Sequence, residues 1–385
     1  MNIDKPHVAR CACVLGTRPE VIKMAPVIRR LKESNWAIPI VIATGQHDEL
    51  LDRALRDFKI KPDYIIPHDM NFGVIVNLLG SVATELDRLF GKIDPRCVIA
   101  QGDTTSVFAA SLAAFYRHLP FIHVEAGLRT GDLTAPFPEE FHRRVISVAT
   151  ILHCAPTAIA AEQLRRENIS DKLILVSGNT VIDALLETVA TKPEPPKTFP
   201  RVARPILMTA HRRENFGARF REAFTAIRAF IDLSPDTALF FPVHPNPEAR
   251  SIAFEVLSNH PRITLADPLS YRELVGALQN SWIVITDSGG LQEEAPALGK
   301  PVLILRDVTE RPEVVEAGVA RLVGTERGRV FAALSELDKN PAAYEGMARP
   351  IFPYGDGQAA KRIISSIQQL ICAGKGTDGL HQLFT

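Results

Sequence analysis

The chain has 385 residues, 46% hydrophobic and 23% charged, a size and make-up suited to two domains with separate cores. Lys plus Arg and Asp plus Glu each number 44, so the net charge is zero. That excludes a general nucleic-acid or acidic-membrane surface and leaves room only for a local basic pocket. No apolar run reaches membrane-spanning length, and the opening "MNIDKPHVARCACVLG" has no signal-peptide cleavage pattern. Cys11, Cys13, Cys97, Cys154 and Cys372 form an odd, scattered set that reads as reduced thiols. The expectation is a cytoplasmic protein.

Short apolar runs alternate with amphipathic stretches. "HVARCACVLG", "IPIVIATG", "DYIIP", "RCVIAQGD", "PFIHVEAG", "ILHCAPT" and "KLILVSG" are predicted strands, with predicted helices such as 19–33, 47–58, 104–117, 138–149 and 157–168 between them. Continuously apolar strands fit parallel sheets covered on both faces. The proline- and charge-rich "TKPEPPKTFPRVARP" then breaks the pattern and reads as a linker. Beyond it the alternation restarts with "PILMTAH", "TALFFPVHP", "RITLAD", "SWIVITDS", "KPVLIL" and "ARLVG". The predicted organisation is an N-terminal domain over 1–190, a linker over 191–205 and a C-terminal domain over 206–356. A last helix over 357–373, packing back on the N-terminal domain, and a tail over 374–385 complete it. Both domains are predicted to be doubly wound α/β folds.

In such sheets ligands bind outside the carboxyl ends of the strands, and with two domains the expected site is the cleft between them. "WIVITDSGGLQEEAPALGK" ends a strand in Asp287-Ser288-Gly289-Gly290 and turns into a helix. Glycines admit a close ligand, and free amides at a helix start attract phosphate. Glu293 or Glu294, about one turn on, is placed to accept from a ribose diol; the alternative is an ordinary turn capped by Ser288. His211, Arg212 and Arg213 follow a strand in "LMTAHRRENFG" and form a candidate diphosphate clamp or a solvated basic turn. His244 in "FPVHPNP" repeats the theme or packs as a cap. In "VLGTRPEVIKMAP", Arg18 and Lys23 are cleft-facing candidates, with a plain surface role open to Lys23.

Three carboxylates carry the chemistry. "CVIAQGDTTS" ends a strand in Asp103, "FIHVEAGLRTGD" ends one in Glu125, and "APFPEEFHRR" opens a helix with Glu139 and Glu140. Asp103 has a helix-capping alternative and Glu139 an ion pair with Arg143 four residues on. Clustered acids in one cleft move one another's pKa values apart, which supplies acid and base groups. G-x-G-x-x-G, the Walker loop, H-E-x-x-H, Cys/His metal spacing and the G-x-S-x-G elbow are all missing, so no cofactor and no metal are indicated. Diphosphate clamp, ribose acid and acid/base carboxylates together fit a nucleotide sugar.

In order, "GTRPEVIKMAP", "QGDTTS", "HVEAGLRTGD", "PEEFHRR", "GNTVIDAL", "HRRENFG", "PVHPNP", "TDSGGLQEEAPALGKPVL", "RDVTERPE" and "PYGDGQAAKRI" resemble the bacterial, non-hydrolysing UDP-N-acetylglucosamine 2-epimerase family over roughly 8–365. The resemblance implies a glycosyltransferase-B-like fold of two Rossmann-like domains, a homodimer, and UDP-GlcNAc, UDP-ManNAc and UDP as ligands, with neither NAD nor metal. It implies anti elimination of UDP to 2-acetamidoglucal and syn re-addition on the other face of C2. By motif, Arg18 and Lys23 match basic residues near the phosphates and sugar. Asp103, Glu125 and Glu139 match essential carboxylates, Arg143 a partner arginine, and His211 a histidine near the diphosphate. Ser288, Gly289 and Gly290 match the phosphate-binding turn and Glu294 the ribose acid. Arg212, His244 and Arg311, the last within "RDVTERPE", complete the substrate-binding candidates.

The chain departs from the family at "MNFGVIVNLL", where a Gln is usual near a second, activating UDP-GlcNAc site; Gln46 and His47 of "TGQHDELL" remain. Leu274 stands where an aromatic is common. A hydrolysing epimerase, a glycosyltransferase and a silent nucleotide-sugar binder are the competing readings.

Overall fold

A computed structural model describes residues 8–44, 49–67, 75–212 and 215–372. Gln46, His47, Arg213, the "MNFG" stretch and the tail from 374 lie outside the described residues. The chain divides into two compact units, Met1–Ala184 with Tyr354–Thr385, and Leu185–Pro353.

In the first unit the strands are β1 (Ala9–Leu15), β2 (Ala37–Ala43), β3 (Tyr64–Ile65), β4 (Cys97–Gln101), β5 (Phe121–Val124), β6 (Leu152–Ala155) and β7 (Ile174–Val176). Among the described residues they pair, all parallel, in the order β3-β2-β1-β4-β5-β6-β7. The helices between them are α1 (Arg18–Glu33), α2 (Glu49–Asp57), α3 (Ile75–Ile93), α4 (Thr105–Tyr116), α5 (Glu139–Ala149), α6 (Ala158–Arg166) and α7 (Thr180–Ala190). Helices α3 and α7 are not among the stretches marked from the sequence.

Alternation along β1 explains the two-sided cover. Cys11, Cys13 and Leu15 face Val21, Met24 and Ile28 of α1, while Ala12 and Val14 face Val82 and Leu86 of α3 and Phe108 of α4. The thiols of Cys11, Cys13, Cys97 and Cys154 are therefore unpaired, fully buried packing groups. A final helix, α15 (Ala359–Cys372), sends Ile363, Ile364 and Ile367 into the same cluster as α1. Asp183 anchors its start by accepting from the amides of Ala359 and Ala360 at 3.2 and 2.9 Å.

The second unit follows the same plan. Its strands are β8 (Arg204–Thr209), β9 (Thr237–Pro242), β10 (Ile263–Ala266), β11 (Ile283–Thr286), β12 (Val302–Ile304) and β13 (Ala320–Leu322). They run parallel in the order β10-β9-β8-β11-β12-β13. The intervening helices are α8 (Ala218–Leu233), α9 (Pro247–Leu257), α10 (Tyr271–Asn280), α11 (Gly289–Ala297), α12 (Pro312–Glu316), α13 (Arg327–Lys339) and α14 (Pro341–Met347). Ile206 and Met208 of β8 pack on Phe220, Phe224 and Ile227 of α8. The proline-rich stretch is seated on this unit: Phe199 meets Phe240 at 5.2 Å, and Arg272 Nη2 donates to the Thr191 carbonyl at 3.1 Å.

Both sheets are doubly wound, and the strand order reverses direction at β1/β4 in one and at β8/β11 in the other. Those switch points open a crevice at the carboxyl ends of the strands, where loops diverge to opposite faces. Of the residues singled out from the sequence, Arg18, Lys23, Asp103 and Glu125 follow β1, β4 and β5 in the first unit, with Glu139 and Arg143 on α5; in the second, His211, Arg212 and the Ser288 turn follow β8 and β11, with His244 after β9 and Arg311 after β12.

Candidate active site

In the first unit Glu125 is the hub. It directly follows β5 and adopts φ = 66°, a left-handed conformation that costs a residue with a Cβ roughly 1–3 kcal/mol. The strain is offset by what the side chain meets. Lys23 Nζ lies 2.6 and 2.8 Å from its two oxygens, Asn179 Nδ2 donates to Oε1 at 2.8 Å, and Gln101 Nε2 donates to Oε2. Glu125 is 9% and Lys23 8% exposed, so the pair is buried. Removing either partner of such a pair costs about 3–5 kcal/mol, because the other charge stays desolvated.

Asp103 sits beside this hub. Gly102 at the end of β4 has φ = 89°, which a residue with a side chain resists. The half-buried Asp103 then accepts from Arg143 Nε at 2.8 Å. Arg143 also pairs with the fully buried Glu140 at 3.3 Å. The alternatives left open by the sequence, a Glu139–Arg143 pair and Asp103 as a cap, are not what forms: the ion pairs go to Asp103 and Glu140, and Thr104 caps α4 by accepting from the Val107 amide. Glu140 is held in place by the amides of Thr130 and Gly131, which donate at 3.1 and 3.2 Å. Glu139 is half-buried in the first turn of α5.

Two more titratable groups line the same strand ends. Glu20 of α1 is 2% exposed, and its carboxyl is pushed up to about 7, chiefly by burial, against hydrogen bonds from Gly16, Thr104 and Thr17 that lower it. His123 of β5 is buried beside the Gly102 carbonyl, Nε2 to oxygen 2.7 Å. Burial drives it down to about 4, so the ring is neutral, and the carbonyl's acceptor character puts the proton on Nε2.

The second unit is built differently. Asp287 at the end of β11 is fully buried and accepts from the amides of His211, at 3.0 and 3.1 Å, and Arg212, at 2.9 Å; His211 Nδ1 lies 3.1 Å away. Burial raises its carboxyl, but the His211 ring and the two amides outweigh that and hold it below its ordinary value. Asp287 thus fastens the turn after β8 to the turn after β11. The His211 and His244 rings stack at 5.7 Å, with His244 exposed.

Behind this lies a guanidinium network. Arg311 Nε pairs with Glu293 at 2.6 Å and Nη1 with Glu310 at 3.0 Å; Arg306 and Arg212 reach Glu310 at 2.6 and 3.2 Å. Burial raises Glu310, while Arg311, Arg306 and Arg212 together drive it far below the carboxylate range. The Arg311 guanidinium lies directly against Gly289, where a Cβ would stand 2.6 Å from Nη1. Ser288 begins α11 without a side-chain cap bond, and its amide donates to Thr286 Oγ1 at 2.9 Å. The two adjacent glutamates divide their work: Glu293 holds Arg311, while Glu294 accepts from the Tyr271 hydroxyl at 2.6 Å.

Within the first unit the structure gathers Lys23, Asp103, Glu125 and Arg143 at adjoining strand ends, with Arg18 opening α1 and Glu139 opening α5. Within the second it gathers His211, Arg212, His244, Gly289 and Arg311 around the turns after β8 and β11, with Ser288, Gly290 and Glu294 on α11 or at its start. Sequence reasoning gave no role to Gln101, Asn179, Glu20, Asp287 or Glu310, although all five lie within quoted motifs. Gln101 and Asp287 also carry the signal of a place at a strand end.

The family model described as UDP-N-acetylglucosamine 2-epimerase matches residues 29–368. The chain belongs to this family. It is 40% identical to the UDP-N-acetylglucosamine 2-epimerase of Escherichia coli K12 over 92% of this chain and 97% of that one. It is 42% identical to the Bacillus subtilis protein of the same name, covering 92% and 93%. The crystal structure of UDP-GlcNAc 2-epimerase from Neisseria meningitidis bound to UDP-GlcNAc matches with a TM-score of 0.89 at 40% identity, covering 94% of this chain and all of that one. The expected family and the two-domain, glycosyltransferase-B-like α/β fold are borne out.

Proposed function

We propose that this isomerase, a UDP-N-acetylglucosamine 2-epimerase, interconverts UDP-GlcNAc and UDP-ManNAc reversibly without releasing free sugar. The second unit holds the nucleotide. The amides of Ser288, Gly289 and Gly290, with Arg212, His211, His244 and Arg311, take the diphosphate, and Glu294 takes the ribose diol. The first unit acts on the sugar. Asp103 or Glu125 removes the proton from C2 with Glu139 assisting, and the C2–H electron pair becomes the C1=C2 bond of 2-acetamidoglucal. The C1–O bond breaks and its pair stays on the UDP phosphate oxygen. Re-addition of UDP at C1, with a proton delivered to the opposite face of C2, completes the inversion.

A sugar C2 proton is weakly acidic, so its removal needs the departure of UDP. Arg18, Lys23 and the second unit's cations stabilise the charge that develops on the diphosphate. The observation that carries the reading is the pair of acid sites at adjoining strand ends, Glu125 with Lys23 and Asp103 with Arg143. A transferase passing a sugar to an acceptor has no need of them. The enzyme is proposed to work in the cytoplasm as a homodimer and to supply a precursor for cell-surface polysaccharide. Among the described residues no helix is long and apolar enough to cross a membrane.

The test is incubation with UDP-GlcNAc in heavy water, followed by NMR. Deuterium at C2 of both UDP-sugars is the expected result. Free ManNAc with UDP indicates the hydrolysing reaction. No exchange without an acceptor indicates a transferase or a binding protein.

A further inference from the structure

Asp103 is held through its own carbonyl and through both of its neighbours. His142 Nδ1 lies 2.8 Å from the Asp103 carbonyl, His123 Nε2 2.7 Å from that of Gly102, and the Gly102 amide donates to Val124 at 3.1 Å. On the far side, Thr104 Oγ1 donates to Glu20 Oε1 at 2.8 Å. Glu20 is the one member of this set that also reaches the other strand end. Its Oε2 accepts from the Gly16 amide at 2.5 Å and its Oε1 from Thr17 Oγ1 at 3.1 Å, at the turn that delivers Arg18. One buried carboxylate therefore ties the turn after β1 to the turn after β4, across the switch point of the sheet.

We propose that Glu20 is a positioning residue for the epimerase reaction, setting the placement of Asp103 through Thr104 and of Arg18 through Gly16 and Thr17. The inference rests on the proposed function, in which Asp103 touches the sugar. Glu20 itself touches neither substrate nor reacting atoms. Its ionised form suits the task, because all three partners are donors and a carboxylate is acceptor-only. A displacement of the turn by about 1 Å is enough to lower a chemical step by about 100-fold while leaving binding by other groups intact.

The experiment measures kcat and KM for UDP-GlcNAc, C2 deuterium exchange and UDP affinity at mildly alkaline pH, where Glu20 is ionised. The variants are Glu20→Gln, Glu20→Ala, Thr104→Val, Thr104→Ser and the double variant Glu20→Ala/Thr104→Val. The expected result is a fall in kcat of about 10- to 100-fold for Glu20→Ala and Thr104→Val, smaller for Glu20→Gln. KM and UDP affinity stay within about threefold. Thr104→Ser keeps its hydroxyl and stays near wild type, and the double variant is no worse than Glu20→Ala alone. Unchanged kcat in Glu20→Gln and Glu20→Ala, additive losses in the double variant, or kcat and UDP affinity falling together, overturns the inference. Should Glu20→Ala fail to fold, Glu20→Gln and the two Thr104 variants decide the matter. Wild-type protein that exchanges no deuterium at C2 sinks the epimerase reading itself, and that outcome is distinct from normal exchange in every variant.

Discussion

The two units share one fold plan and use opposite electrostatics. In the first, burial dominates at two groups beside the ion-paired Glu125 and Asp103: Glu20 is pushed up to about 7 and His123 down to about 4. In the second, hydrogen bonds and arginines overcome burial, and Asp287 and Glu310 are held ionised. Under the proposed function the first unit moves protons, which groups of conditional charge serve, and the second grips an anion, which fixed charges serve. The carboxyl end of a doubly wound sheet offers the same backbone to both tasks.

Changes at four positions probe this division, from the largest effect to the smallest. Lys23→Met leaves Glu125 buried without its cation; C2 exchange should fall about 10²- to 10⁴-fold, and chemical denaturation should register a loss of about 3–5 kcal/mol. Arg311→Ala strips Glu293 and Glu310 of a shared partner, with a similar stability loss in the second unit and weakened UDP binding by calorimetry. Arg311→Lys should restore little, since a lysine cannot serve both acids from one planar fork.

Glu20 gives the pH test. Its carboxyl rises from 4.5 to about 7 on folding, so between those values the folded protein keeps a proton that the unfolded chain has released. The associated stability is present in full below pH 4.5 and is lost as the pH rises through about 7. Glu20→Gln removes that slope, and relative to wild type it should gain up to about 3 kcal/mol across the window in denaturant titrations. A parallel pH dependence for the two proteins contradicts the assignment. The smallest effect is expected from Tyr271→Phe, which deletes the hydroxyl that orients Glu294. UDP affinity should drop by about 1 kcal/mol with C2 chemistry unaffected at saturation.

Much of this was legible in the sequence, for a physical reason. Buried parallel strands must be apolar throughout, so "WIVIT" and "CVIAQ" declare themselves, and whatever follows such a run lies at a sheet edge. Asp103, Glu125 and the turn at Ser288 were found that way. Helix α3 is hard to mark because its first two turns, "IVNLLGSV", are mostly apolar and carry a glycine, so only Asn77 and Ser81 hint at a polar face. The partners of Glu125 were illegible because they come from positions 24, 54 and 102 residues away. Only the folded sheet brings Gln101, Asn179 and Lys23 to one carboxylate. Glu20 and Glu310 look like surface acids in a linear reading, and nothing local reveals their burial. The adjacent pair Glu139-Glu140 shows the limit most clearly: the ion pair with Arg143 goes to the second acid, three residues before the arginine, because that side of α5 faces the interior.

The central claim is that gripping the nucleotide and moving the C2 proton belong to different units. It is tested most directly in Glu125→Gln by measuring UDP affinity and C2 deuterium exchange on the same preparation. UDP affinity within about threefold of wild type, with exchange reduced by at least about 100-fold, is the predicted result. Loss of UDP binding in step with exchange, or exchange at the wild-type rate, would contradict it.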